Sequence, residues 1–374
     1  MSPHSIQIQP VTSRRQLRAF IKFPWRVYEK DPLWVPPLIS QQKTTFDPRK
    51  NPFYDHSQVQ LFLAVRNGQI AGRIAAVVND NHNEFHQEKA GFFGFFECLN
   101  DYAVAEKLLD TARDWLRQRG MEMMRGPANF SSNDEWGMLV EGFDSSPTLM
   151  MTYNPRYYLN FMDRYGLVKA KDLYAYQALT APNPPQRLRR MAEKVQQREG
   201  LTIRPLNMKD FVGEVQRIRA IYNQAWSKNW GFVPMTDREF DHLAKNLRPL
   251  VVPELIFMAE VNGEPAGFSL TLPDYNQALK RINGRLFPFG LIKLWWYSRK
   301  IDGVRTMVMG VVPKYQKRGI DALFYIKTWD AGIARGATWG EMSWVLEDNE
   351  LMKRALEMLG ARIYRRYRIY EMTL

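Results

Sequence analysis

VVPKYQKRGID, residues 311–321, joins an apolar run at 306–312 to a helical pattern at 320–335 through a proline, three basic side chains and one glycine. A helix N-terminus carries unsatisfied backbone N–H groups and a partial positive charge. A glycine that admits close approach, flanked by Lys317 and Arg318, therefore makes this turn a candidate anion cradle. Outward from it, the second half predicts a strand at 201–204, a helix at 209–226, and strands at 255–261 and 266–272 turning on Asn262-Gly263. After a long insertion reaching residue 300 come the strand and helix just named, then a strand at 341–344, a helix at 350–359 and a last strand at 362–372.

The first half repeats this order without obvious sequence identity, as an internal duplication would. A strand opens at residue 5, strands at 61–65 and 70–78 turn on Asn67-Gly68, and a strand at 91–96 comes next. A helix at 103–119 then sets Ala105, Leu108, Leu109, Ala112 and Leu116 on one face, and segments 154–165 and 173–179 close the unit. Pro182, Pro184 and Pro185 break regular structure. The expected fold is α/β, with two tandem domains, each a mixed twisted sheet flanked by helices. The first is placed at 1–181, a linker with a connecting helix at 182–200, and the second at 201–374.

At 374 residues and 45% apolar content, the chain has material for two cores. Its formal charge of +13 points to a polyanionic partner: nucleic acid, an anionic membrane surface or a multiply phosphorylated cofactor. No RNA-binding or helix-turn-helix signature accompanies the charge, so DNA is not expected as a partner. Cys98 is the single cysteine, which excludes an intramolecular disulfide, and no His/Cys cluster has metal-ligand spacing, so no metal is expected. The opening MSPHSIQIQPVTSRR lacks the apolar core of a signal peptide, and nowhere do about eighteen apolar residues run uninterrupted. A soluble, cytoplasmic protein is the expectation.

Around the glycine turn, the succession of strand, turn, helix, strand, Asn, helix, Gly and strand resembles the conserved half of the GCN5-related N-acetyltransferase (GNAT) superfamily. Its Q/R-x-x-G-x-G/A loop matches Gln316-Lys317-Arg318-Gly319-Ile320-Asp321, except that Asp321 stands where glycine or alanine is usual. SWVLEDNELMKRALEMLGARIYRRYRIYEM matches the second motif, with Asn349 opening a helix and Gly360 closing it. The resemblance covers residues 201–374 and extends to the first half by order of elements. It implies an N-acyltransferase that moves an acetyl or longer acyl group from acyl-CoA to a small-molecule or peptide amine, with one donor per chain, since the first half's turn at 97–101 is acidic. Gln316 to Asp321 would hold the diphosphate, Val311 and Val312 the pantetheine arm, and Asn349 either that arm or the acceptor amine, beside a helix N-cap role. A backbone N–H of the splayed strand would stabilise the oxyanion. The acid that the family often places seven residues after its asparagine is absent, because that position is Leu356. Tyr364 or Tyr367 are the substitutes, and Glu341 or Glu347 the bases, acting through water. Asp321 and Leu356 also leave open a CoA-binding regulatory or structural protein without turnover.

Asn223, Trp226, Asn229 and Trp230 lie where the family lines its acceptor site, and the indoles would equally serve as loop anchors. Asn133, Asp134, Glu135 and Trp136 are a further polar and aromatic cluster that would complete an acceptor cleft. The insertion NGRLFPFGLIKLWWYSRK, residues 283–300, mixes aromatic and basic residues. Packing between the halves is the favoured expectation for it, beside a membrane interface or a pocket for a long acyl chain.

Overall fold

The computed structural model describes residues 5–180 and 184–374, so the expected boundary at 181 lies outside the described residues. In chain order the first elements are β1 (Ile6–Pro10), α1 (Arg14–Lys22), α2 (Pro24–Val27), α3 (Ile39–Thr45), β2 (Ser57–Arg66), β3 (Gln69–Asn79), α4 (Asp80–His86), β4 (Ala90–Cys98) and α5 (Tyr102–Arg117). They continue through β5 (Met123–Gly126), β6 (Ala128–Asn129), β7 (Glu135–Trp136), β8 (Met138–Glu141), α6 (Tyr157–Tyr165), β9 (Val168–Leu179), α7 (Gln186–Gln196), β10 (Leu201–Pro205), α8 (Phe211–Trp226) and α9 (Asp237–Leu247). The remainder is β11 (Ile256–Val261), β12 (Glu264–Pro273), α10 (Asn276–Leu279), α11 (Gly290–Ser298), β13 (Gly303–Val311), α12 (Ile320–Ala334), β14 (Trp339–Leu346), α13 (Glu350–Met358) and β15 (Arg362–Thr373). The chain is mixed α/β, and its contacts divide it into two compact units.

The first unit holds residues up to Asp172, with Leu279–Leu291 and Arg366–Leu374. Its strands run β1-β2-β3-β4-β5, followed by the end of β15, which also pairs with β8. β2 and β3 turn on Asn67 and Gly68, both at positive φ, as a two-residue hairpin of right-handed twist requires. The expected face of α5 is buried: Ala105, Leu108, Leu109, Ala112 and Leu116 join Val104 under the sheet.

The second unit comprises Leu173–Ala278 and Ile292–Arg365. Its strands run β10-β11-β12-β13-β14 and end on the Leu173–Leu179 part of β9. The β11–β12 turn at Asn262-Gly263 repeats the positive-φ pair of the first hairpin. α7, α12 and α13 pack on one core with β9 and β14, through Leu188, Val195, Leu323, Ile326, Leu356 and Val345. Met342 and Val345 both reach this core despite opposite parity along β14, because the pairing with β9 slips between them.

Two sequence expectations are corrected here. Residues 173–179, read as closing the first half, lie against β14 in the second unit, and Arg366–Leu374 of the last strand lies in the first. Apolar alternation tells a strand which face to bury and says nothing about its neighbour. The insertion is not packed away either: Phe287, Phe289, Leu291, Ile292, Trp295 and Trp296 are all exposed.

Candidate active site

β13 pairs with β14 in parallel from Gly303↔Trp339 to Thr306↔Met342, and there the two strands part. Beyond that point Val308–Val311 keeps its ladder with β12 alone. A bulge explains where the parting begins. Leu270 opposes Val308 and Thr271 opposes Thr306, so Met307 is the extra residue, and an extra residue bends and twists its strand. The edge of β13 that faces β14 is thereby left with unpaired backbone groups lining a wedge. Met309 faces the core beneath α12, while Gly310 faces the other way. A Cβ on Gly310 would stand 2.1 Å from the Trp226 ring, so only glycine lets the indole lie on the strand here.

At the mouth of the wedge the chain turns into α12. Lys317 (φ 60°) and Gly319 (φ 79°) both adopt left-handed backbone, and Gly319 is the N-cap of α12. The N–H groups of Lys317, Arg318, Gly319, Ile320 and Asp321 have no acceptor among the described residues. They form a run of donors at the positive end of a helix dipole, with Lys317 and Arg318 exposed beside them. α7 and the turn after it brace this loop: Arg198 Nη1 donates to Arg318 O at 2.5 Å, and Val195 Cγ2 lies 2.8 Å from where a Gly319 Cβ would be. A diphosphate matches this donor set in charge and acceptor number.

At the apex of the wedge lies a buried polar cluster. Glu341, on the pair before the last of the parallel ladder, is fully buried. Its carboxylate accepts the hydroxyls of Tyr364 and Ser343 and lies 3.5 Å from Arg305 Nε. Arg305 Nε also donates to Ser343 Oγ at 2.9 Å. Ionised partners and hydrogen bonds together compensate the desolvation that burying a carboxylate costs. Tyr364 remains partly exposed, so this network fixes a phenol that solvent or a ligand can still reach.

No family model matches the chain. It is 37% identical over 99% of its length to the bacterial ceramide synthase of Caulobacter vibrioides, covering 98% of that protein. It is also 37% identical to protein YghO of Escherichia coli K12, over 97% of this chain and 94% of that one. The chain belongs to the same family as these two proteins. Among solved structures, a tandem GNAT protein from the clavulanic acid biosynthesis pathway matches 99% of this chain and 98% of its own, at a TM-score of 0.60 and 11% identity. The fold is therefore a tandem GNAT fold.

Within the GNAT frame, the residues singled out from sequence fall into three groups. Gln316 to Asp321 form the donor turn, but the Gln316 side chain is tied to the strand end, its Nε2 donating to Val311 O at 3.0 Å, and Val312 N–H is spent on Ala266 O. The open backbone is that of the residues before Val311. Asp321 lies in the first turn of α12 and makes no cap bond, the cap being Gly319. Asn349 is the N-cap of α13, accepting from Met352 N at 3.2 Å.

Glu341 and Tyr364 come together, whereas Tyr367 belongs to the first unit, opposite Leu139, because the chain has crossed over by then. Glu347 lies after β14, where its carbonyl accepts from Lys353. Leu356 is fully buried in the core beneath α12. Of the acceptor-side residues, Trp226 packs against Tyr222, Phe268 and Gly310. Asn223 is exposed at the end of α8, and Asn229 and Trp230 sit in the turn after it. Asn133 to Trp136 belong to the β6–β7 ribbon of the first unit and its loop. Sequence reasoning missed Arg305, Ser343, Val195 and Arg198. The last two sit at the end of a helix read only as a connector.

Proposed function

We propose that this chain transfers an acyl group from an acyl-CoA donor to the nitrogen of a long-chain amine. The observation that carries the proposal is the conjunction of the wedge and the donor turn: unpaired strand edge on β13, leading to five free amides at Lys317–Asp321. A donor with a diphosphate at one end and a chain of amides behind it complements both. Bound there, acyl-CoA supplies an activated thioester carbonyl.

The protein's own part has three components. The amides of 317–321 and the two cations hold the diphosphate without desolvating a buried charge. The edge of Met307–Val311 offers β-type hydrogen bonds to the amides of the donor arm and an N–H for developing negative charge. Tyr364 Oη, bonded to Glu341, holds a proton at the level where the strands part, which suits it to protonate a leaving sulfur. Glu341 acts as a positioning residue, since it is buried and touches Tyr364, Ser343 and Arg305.

The choice of a long-chain amine rests on the relative named a ceramide synthase, a ceramide being a long-chain amino alcohol acylated on nitrogen. The test is thiol release and product mass with acetyl-CoA and palmitoyl-CoA against sphinganine, short amines and peptides. An amide formed from sphinganine in preference to short amines and peptides supports the reading. Protection by CoA against heat, with no thiol release above background on any amine, would reduce the protein to a CoA binder.

A further inference from the structure

We infer that α11 and the residues leading into it form a surface by which this protein lies on an anionic lipid bilayer. The sequence from Leu286 to Ser298, LFPFGLIKLWWYS, is apolar nearly all round, a pattern that normally means a helix buried on every side. Here Gly290 is the only buried residue of α11. Phe287 is 77% exposed, Phe289 67%, Ile292 65%, Trp295 55% and Trp296 54%. Single exposed apolar residues are ordinary, but a contiguous group of this size marks a contact surface.

Charge selects the occupant. Between Asp274 and Asp302 the chain has no acidic residue and six basic ones: Lys280, Arg281, Arg285, Lys293, Arg299 and Lys300. Two of these lie over indoles, with the Arg299 guanidinium 3.6 Å from the Trp295 ring centre and Lys300 Nζ 5.4 Å from that of Trp296. An indole carrying a cation places apolar surface below the headgroups and positive charge at their level. A second copy docking on this face by two-fold symmetry would oppose like charges with no carboxylate in the stretch to answer them. Nine residues of helix reach only about 13 Å, well short of a hydrocarbon core of about 30 Å, so α11 would lie in the interface rather than cross it. Consistently, no helix among the described residues is long and apolar enough to span a membrane.

The experiment is co-sedimentation of the whole chain with vesicles of phosphatidylcholine alone and of phosphatidylcholine containing phosphatidylglycerol, at low and high salt. No acyl donor or amine is present, so failure of the acyl-transfer reading and failure of this one are distinguishable. The chain is expected to partition onto the anionic vesicles and to be released by salt. The double change Trp295→Ser with Trp296→Ser should weaken partition at least about tenfold. Arg299→Glu with Lys300→Glu should weaken it about fivefold for each charge removed, on the anionic vesicles only. All four side chains are exposed, so the melting temperature should not move, and Phe85→Ser, at a separate exposed site, should change neither property. Absence of wild-type sedimentation with anionic vesicles overturns the proposal, as does unchanged binding by the tryptophan variant. A concentration-dependent dimer dissolved by the tryptophan changes, with no vesicle binding, would replace the bilayer with a second copy.

Discussion

In the first unit β4 pairs with β5 only from Ala90↔Met123 to Phe92↔Arg125, and in the second β13 pairs with β14 only as far as Thr306↔Met342. Both partings carry a bulge on the longer strand: Arg73 opposes Glu97 and Ala75 opposes Gly94, just as Leu270 and Thr271 bracket Met307. Beyond the partings the two units diverge. In the first unit the chain itself fills the opening, with Ala128 O so close to Gly94 that a Cβ there would be 1.7 Å away, and Asn129 Oδ1 accepting Phe95 N–H at 2.6 Å. The helix beyond, α5, starts at Asp101, whose carboxylate pairs with Arg66. In the second unit the strand edge is not paired with β14 and the helix starts at a glycine with bare amides. The same architecture thus spends its donors internally in one half and keeps them for a ligand in the other.

Each half also sets a tyrosine on a buried carboxylate, and this pair gives the largest expected effect. Tyr364→Phe should lower kcat about a thousandfold with little change in donor affinity, because a positioned proton donor is lost. Its counterpart Tyr158→Phe, which removes a hydroxyl from Glu97, should affect stability and leave turnover nearly intact. Equal losses of kcat from both would erase the distinction between the halves.

The second effect concerns Glu97 itself. Burial raises its pKa to about 7, outweighing Arg73 and the hydroxyls of Tyr158 and Tyr28, which pull it down. A folded-state pKa above the ordinary 4.5 means that the folded chain holds this proton more tightly. The stabilisation is complete below about pH 4.5 and is lost as pH rises through about 7, a fall of roughly 3 kcal/mol. Denaturant melts of Glu97→Gln across that range should lack this component; a slope identical to wild type would remove the first unit's buried acid from the account.

Gly319→Val comes next. The new side chain meets Val195 at a positive φ and displaces the amides, so Kd for CoA should rise roughly a hundredfold by calorimetry while the fold persists. The same change at Asn100, in the turn before α5, should leave CoA binding alone. The smallest effect is Asn129→Ala. It unplugs Phe95 N–H and removes one donor from Glu135, and it should cost about 2 kcal/mol of unfolding free energy without creating a second CoA site. A second equivalent of bound CoA would show the first opening to be closed by that side chain alone.

Much of this was legible in the chain. The two Asn-Gly turns, the stripe on α5 and the glycine at the start of α12 are local features, and each is dictated by backbone sterics or helical spacing within a few residues. Thr236 with Glu239 and Ser13 with Gln16 are capping boxes that would have marked α9 and α1. The cluster at Glu341 was only half readable. Its carboxylate is marked by its strand, but Arg305 lies on β13 and Tyr364 on β15, and nothing in their spacing announces that they meet. α7 was hidden for the same reason: its role lies in what it touches, the turn at Arg318 and Gly319.

The sequence by itself determined the alternation of strands and helices, the duplicated order and the basic glycine turn, because these arise from periodicities of two and 3.6 residues and from the φ that glycine alone adopts without strain. Only the tertiary structure decided that the strand after residue 172 and the tail after residue 365 change places. It alone decided, too, that one opening is filled and the other kept, and that the aromatic insertion stands in solvent. Those outcomes depend on which distant segments come into contact, and a strand's pattern of faces carries no record of its neighbours.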